Sequence, residues 1–348
     1  MKKTVVIILL CMPFLSFSQG NGALYNEKIN LAELQVTEKN YENALTIYQE
    51  AFKEKEFPFA VDYYNALLCA VFSKKEEIAF QFLYKLANKG IEFSYFDNNK
   101  YLKELKNNEN WNKFMLYCSE NKDLINSKFD AELNTIFKEM VDKEQLLIRE
   151  KKMTEYKIQV KINTELFIKT IKAKGFPTEE MLGVRLPNGA NYFPTTVLIH
   201  YIKLYSDSLE IISLLKENYQ LSNLSASSFF NIVSFSFDDT FKAKTCYVVD
   251  SVIVDIKITE ERLLKINKIR KENGLPSFED SYKKAKFYIQ NTLNWTSIRE
   301  NETFGEHNER LFQARDLEYF NIGASNFVQI FSTSEENRNE LIKSLGGK

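Results

Sequence analysis

Lys39-Asn40-Tyr41-Glu42-Asn43-Ala44-Leu45-Thr46-Ile47-Tyr48-Gln49-Glu50-Ala51-Phe52 sets the architecture of the chain. In it Ala44, Ile47, Tyr48 and Ala51 recur at the spacing that places side chains on one face of an α-helix. A second such face, Ala79, Phe82, Leu83 and Leu86, opens after Lys75-Glu76-Glu77-Ile78, and Ala44 and Ala79 stand 35 residues apart. An apolar helix face needs a partner to cover it, so the spacing predicts a helix pair used twice.

The Lys39–Phe52 pattern and its period resemble the tetratricopeptide repeat, whose unit is about 34 residues. The position that usually carries glycine in the first helix of that family is Ala32 in one copy and Leu67 in the other. Leu86-Ala87-Asn88-Lys89-Gly90, then Tyr95, Leu102, Leu105 and Trp111-Asn112-Lys113-Phe114, resemble the tail that covers the apolar end of short bacterial arrays. Residues 19–122 are therefore expected to form a short capped solenoid. About three repeats are usually needed for independent stability, so the following domain is expected to pack against these two. The resemblance implies a groove lined by the first-helix residues Tyr25, Lys28, Gln35, Asp62, Asn65 and Phe72, which takes a protein or peptide partner.

The first residues carry a different signal. Lys2 and Lys3 precede an apolar run from Val5 to Leu15, and Ser16-Phe17-Ser18 place small side chains before Gln19. This is the pattern of a secretory signal peptide over residues 1–18, cleaved between Ser18 and Gln19, and it predicts export to the periplasm or beyond. Leu10 stands before Cys11 where lipoprotein processing requires a small residue. No later apolar run reaches the ~20 residues of a membrane-spanning helix, so no transmembrane segment is expected in the mature chain. Three cysteines follow the signal, Cys69, Cys118 and Cys246, each in an apolar context that predicts a buried thiol.

Composition fits a large helical core: 44% of residues are hydrophobic, with 28 Phe and 18 Tyr, while 11 Gly and 6 Pro leave few breaks. The formal charge is −1, which excludes the basic footprint of a nucleic-acid binder. The expected fold is mainly α, a tetratricopeptide-like solenoid followed by an α-rich α+β domain with a few late strands.

That second domain is expected over residues 123–285. Leu133, Ile136, Phe137, Met140, Leu147 and Ile148 fall near one helical stripe, and a helix over 155–174 ends at Gly175. Asn163, Leu166, Ile171, Gly175-Phe176-Pro177-Thr178 and Leu182-Gly183 resemble the opening of an uncharacterised bacterial domain family. Ile266-Asn267-Lys268-Ile269-Arg270-Lys271-Glu272-Asn273-Gly274-Leu275-Pro276 resembles its closing helix and turn, so the resemblance spans about residues 129–285. Family members carry polar motifs between these landmarks: Asp-Gln with a downstream Arg, His with Asp two residues on, an Asp-Arg pair and a Gln-rich strand. Here Glu144-Gln145 with Arg149 approximates the first, and His200 is followed by Ile202 rather than Asp. Ser234-Phe235 replaces the Asp-Arg pair, and Thr245-Cys246-Tyr247-Val248-Val249-Asp250 keeps only the tyrosine of the strand. The resemblance thus implies a family site lost in this copy.

The catalytic inventory is thin. His200 and His307 are the only histidines, and no zinc-binding cluster, nucleophile elbow, phosphate loop or Cys-x-x-Cys motif occurs. His200 lies in an apolar helix or strand, which predicts a packed ring with one internal partner. The adjacent pairs Asp238-Asp239 and Glu179-Glu180 read as a solvated turn or a helix N-terminus, Glu179-Glu180 following Pro177-Thr178 in such a position. Late β-branched runs, Cys246–Val249, Ser251–Ile256 and Phe327–Phe331, predict strands, and Thr333 with Glu336 caps a last helix ended by Gly346-Gly347. Residues 286–348 are expected to form a segment of their own, irregular through 326. No cofactor or metal is expected. The functional expectation is an exported protein-interaction or scaffold protein. The alternative is an envelope hydrolase or small-ligand-binding domain seated around Gln145, Arg149, Asn163, His200 and Tyr247.

Overall fold

Four helices open the chain, and each packs on the next: α1 (Gly22–Thr37), α2 (Tyr41–Ala51), α3 (Ala60–Phe72) and α4 (Glu76–Asn88). The helical faces read from the sequence are the ones that close against each other. Ala44, Tyr48 and Ala51 of α2 and Ala79, Phe82, Leu83 and Leu86 of α4 are all buried in one core. The turns inside the two pairs are alike. Lys39 and Lys74 hold φ of 59° and 56°, and the following amides, of Asn40 and Lys75, bond back to Gln35 O and Ala70 O at 2.9 and 2.8 Å. A left-handed residue at this position ties off the last carbonyls of the first helix and reverses the chain.

The computed structural model describes residues 22–186, 191, 193–205, 208–233, 246–249, 252–255, 257–292, 319–320, 322, 327–330 and 335–344. The expected signal peptide and its cleavage after Ser18, with Cys11, Ser234-Phe235, Asp238-Asp239, His307 and Gly346-Gly347, lie outside these residues. So do the side chains of Cys246 and Tyr247.

After α4 come α5 (Phe93–Asn98), a 3₁₀ segment (Lys100–Asn107) and α6 (Glu109–Asn126). Phe96, Leu102, Leu105, Trp111 and Phe114 of this stretch complete the first core. The second core is built on α7 (Ala131–Arg149) and α8 (Met153–Lys174). Asp130 caps α7 by accepting from Leu133 N at 2.8 Å, and Gly175, at φ 85°, ends α8 where the sequence placed the stop. The short α9 (Glu179–Leu182) leads to α10 (Thr195–Leu204), α11 (Leu209–Gln220) and α12 (Ala226–Val233). Strands β1 (Cys246–Val249) and β2 (Val252–Asp255) pair antiparallel. After them come α13 (Glu260–Glu272) and α14 (Phe278–Thr292). Strand β3 (Phe327–Ile330) lies parallel to β1, and α15 (Glu335–Ser344) follows. Among the described residues the chain is mainly helical, and no helix there is long and apolar enough to cross a membrane.

The domain limits expected at 122 and 285 both fall inside helices, α6 and α14. The reason is packing. Phe287, Phe320 and Ile322, from the segment expected to stand apart, are buried in the first core, and Phe72, 38% exposed, meets the rings of Tyr319 and Phe320 at 6.2 and 5.8 Å. The C-terminal region therefore closes over the helix pairs. A second junction forms where Val184 N donates to Lys89 O at 2.8 Å. There the Phe129 ring fills the space left by Gly90 and Gly183, where a Cβ would come within 2.9 and 2.8 Å of it.

Candidate functional site

Between the two cores lies a cleft of about 1000 Å³, at the upper end of the size usual for small-molecule sites. Asn26 and Ile29 of α1 and Phe59, Val61 and Asp62 at the start of α3 form one wall. The facing wall carries Tyr219, Leu224 and Phe230 from α11 and α12, and Arg270, Pro276 and Lys284 from α13, α14 and their connecting turn. Gly22 sets how closely the walls approach, since a Cβ there would lie 2.4 Å from Gln220 O.

The α1–α3 wall hides a charged cluster. Tyr25 OH donates to Asp62 Oδ2 and accepts from Phe59 N at 3.2 Å. Burial outweighs this stabilising bond and lifts the Asp62 carboxyl to about 7. Glu179 Oε2 accepts from Ala60 N at 2.8 Å and from Lys89 Nζ at 3.0 Å, and Lys89 reaches Glu180 Oε1 at 2.6 Å. The Glu179-Glu180 pair does stand in the first turn of a helix, but Glu179 is buried rather than solvated, because the Lys89 ammonium and a backbone amide replace water around it. Lys55 Nζ lies 3.1 Å from the Phe59 ring centroid and donates to Ser222 O at 2.6 Å, with burial lowering its ammonium to about 8.

On the facing wall Arg270 is 3% exposed. Its Nε donates to Pro276 O at 2.6 Å, its Nη2 donates to Ser281 Oγ, and Nη1 has no hydrogen-bond partner among the described residues. The guanidinium lies 5.7 Å from the Phe230 ring centroid.

The six residues expected to line an open partner groove separate. Tyr25, Asp62 and Asn65 are buried, because α2 packs on both α1 and α3 and the Tyr25–Asp62 bond turns inward. They do not present a face to a partner chain, although Asp62 touches the cleft floor. Lys28 pairs with Glu54 at 2.7 Å, and Gln35 accepts from Asn40 and Asn43 at 2.9 and 2.8 Å in the α1–α2 turn. Phe72 stacks on Tyr41 at 4.9 Å within the aromatic group that includes Tyr319 and Phe320.

The alternative constellation also divides. Asn163 and His200 meet through Glu144, which is 1% exposed: Glu144 Oε2 lies 2.7 Å from His200 Nδ1 and Oε1 accepts from Asn163 Nδ2 at 2.8 Å. Gln159 fixes Asn163 by donating to its Oδ1 at 2.8 Å. Gln145 and Arg149 are exposed on the other side of α7, where Arg149 Nε reaches only Gln145 O, so they do not join the group. Chemically the Glu144–His200 pair orients an imidazole, but no serine, cysteine or metal cluster accompanies it among the described residues.

Glu144 and Arg270 are absent from the site residues expected from the sequence, and one signal marks both: a charged residue at a position of the buried stripe. Glu144 continues Leu133, Phe137 and Met140, and Arg270 lies one turn after Ile266. Cys69 is buried, as its apolar context suggests, and raised by desolvation, whereas Cys118 is only partly buried and its thiol is pushed up to about 11. Compared with family models, with curated proteins and with solved structures, the chain finds no match.

Proposed function

We propose that the protein is an exported binding protein in which tetratricopeptide-like helix pairs act as a scaffold and close one wall of a small-ligand cleft. The observation that carries this reading is the cleft of about 1000 Å³ between the two cores, with a buried arginine on its wall. Export is read from the basic, apolar and small-residue pattern of residues 2–18. A scaffold role is favoured over capture of a peptide in the concave face, because α14 and the aromatic pair Tyr319 and Phe320 already occupy α1, α2 and α3. Catalysis is not part of the proposal, since the Glu144–His200 pair does not line the cleft.

Thermal shift of the exported chain against a small-molecule panel, run beside Ala23→Trp, tests it. Ala23 is exposed on α1 at the rim of the cleft, so indole bulk there narrows the mouth without disturbing a core. Compounds that raise the melting temperature of the natural chain and fail on the variant support the reading. Stabilisation by a protein partner that Lys28→Glu abolishes, with no cleft-dependent compound, refutes it.

A further inference from the structure

We propose that Arg270 is the anchor of the cleft and holds the carboxylate of a small ligand with an apolar body. The proposal rests on the reading of the cleft as a ligand site.

A buried guanidinium is costly unless its donors are used and its charge is balanced. Arg270 uses Nε on Pro276 O and Nη2 on Ser281 Oγ, two neutral acceptors, and no carboxylate pairs with it among the described residues. Asp280 on α14 instead accepts from Asn30 Nδ2 at 2.9 Å, and Glu279 accepts from Asn267 Nδ2 at 2.8 Å. Burial lowers the Arg270 guanidinium to about 10, and the Asp280 and Glu279 charges, which act on it without an ion pair, offset only part of that cost. The side chain is held in place from below by the Pro276 and Ser281 bonds and from the side by Phe230. Nη1 is the donor left for a ligand, and a guanidinium with a free N–H matches a carboxylate oxygen.

The surroundings choose between anions. Glu27, Asp62 and Glu179 line the same cleft, so a doubly charged phosphate meets more repulsion than a single carboxylate. Phe193, Leu224, Phe230 and Leu275 supply apolar lining, with Phe230 beside Arg270, which suits an aryl or alkyl body. Ser225, Ser228 and Ser277 add neutral hydroxyls without adding charge.

The test uses the full exported chain with phenylacetate, its neutral amide phenylacetamide, and inorganic phosphate, read by calorimetric titration on the natural protein, Arg270→Met and Ala23→Trp. The expected result is binding of phenylacetate, none of the amide or phosphate, and affinity weaker by about tenfold or more in Arg270→Met. Binding lost in Ala23→Trp yet unchanged in Arg270→Met overturns the anchor and leaves the cleft reading standing. Binding unchanged in both variants overturns the two together, phosphate binding without phenylacetate binding overturns the ligand class, and no binding of any probe overturns the proposal. Should Arg270→Met fail to fold, the Nε–H resonance of Arg270 in the natural protein is followed instead. Phenylacetate shifts it if the anchor is right, and an unmoved resonance overturns it.

Discussion

Lys284 Nζ lies 2.7 Å from Glu33 Oε2, and both residues are buried although the chain separates them by 251 positions. Asn30 completes the contact by accepting from Lys284 at 2.8 Å and donating to Asp280 at 2.9 Å. Three charged side chains and one amide thus meet between α1 and α14. The helix pairs and the C-terminal region are in this sense one structure, and the surface that a free tetratricopeptide-like array would offer to a partner is covered from within.

The Asp62 carboxyl gives the fold a pH dependence of defined sign. Its folded value of about 7 lies above the ordinary carboxylate range, so the folded state holds the proton that the unfolded chain releases near 4. This contribution is present in full below about pH 4, falls as pH rises towards 7, and is constant above. Urea unfolding of the natural chain and Asp62→Asn from pH 4 to 8 is expected to show the variant gaining relative stability through this window, by a few kcal/mol on the order of magnitude. A constant difference across the range contradicts it.

The helix pairs were legible because their information is local. Apolar residues at helical spacing, such as Ala44, Tyr48 and Ala51, state both the helix and its buried face. Gly175 as a helix stop has the same local character, since only its backbone freedom is at issue. The cleft was not legible, because it depends on α1 meeting α14 and on Gly22 meeting Gln220, pairings that no periodicity encodes. Domain limits at 122 and 285 follow the ends of the two family resemblances, whereas α6 and α14 carry the chain across both positions. Glu144 and Arg270 enter the sequence reading only as members of family-like motifs, not as site residues. Their positions within the buried stripes of α7 and α13 were the available sign.

His200→Ala is expected to cost about 1–3 kcal/mol, because it strips Glu144 of one partner and empties the space beside Tyr156, whose ring centroid lies 5.5 Å from the imidazole. His200→Gln, whose amide N–H can still reach the carboxylate, should recover part of the loss. Denaturant midpoints check the pair. Unchanged stability in His200→Ala together with a lost phenylacetate response would move the ligand site from the cleft to the histidine.

Lys39 and Lys74 hold left-handed backbone with exposed side chains, a conformation that disfavours every residue with a Cβ. Glycine removes that strain and loses part of the gain to its freer unfolded chain. Lys39→Gly and Lys74→Gly are each expected to stabilise by about 0.5–1 kcal/mol, and alanine at the same positions by nothing comparable. A lower urea midpoint for both glycine variants would contradict the shared turn geometry.

The closure of α14 over α1 is tested most directly by a double-mutant cycle on Glu33→Gln and Lys284→Met, with stability measured by urea unfolding of the natural chain, both single variants and the double variant. Each single change leaves a buried charge without its counter-charge and is expected to cost about 3 kcal/mol, and the double variant should cost clearly less than the two together, with a coupling of about 2 kcal/mol. Additive costs, to within about 0.5 kcal/mol, would mean that Glu33 and Lys284 do not meet and that α14 does not seat on the helix pairs.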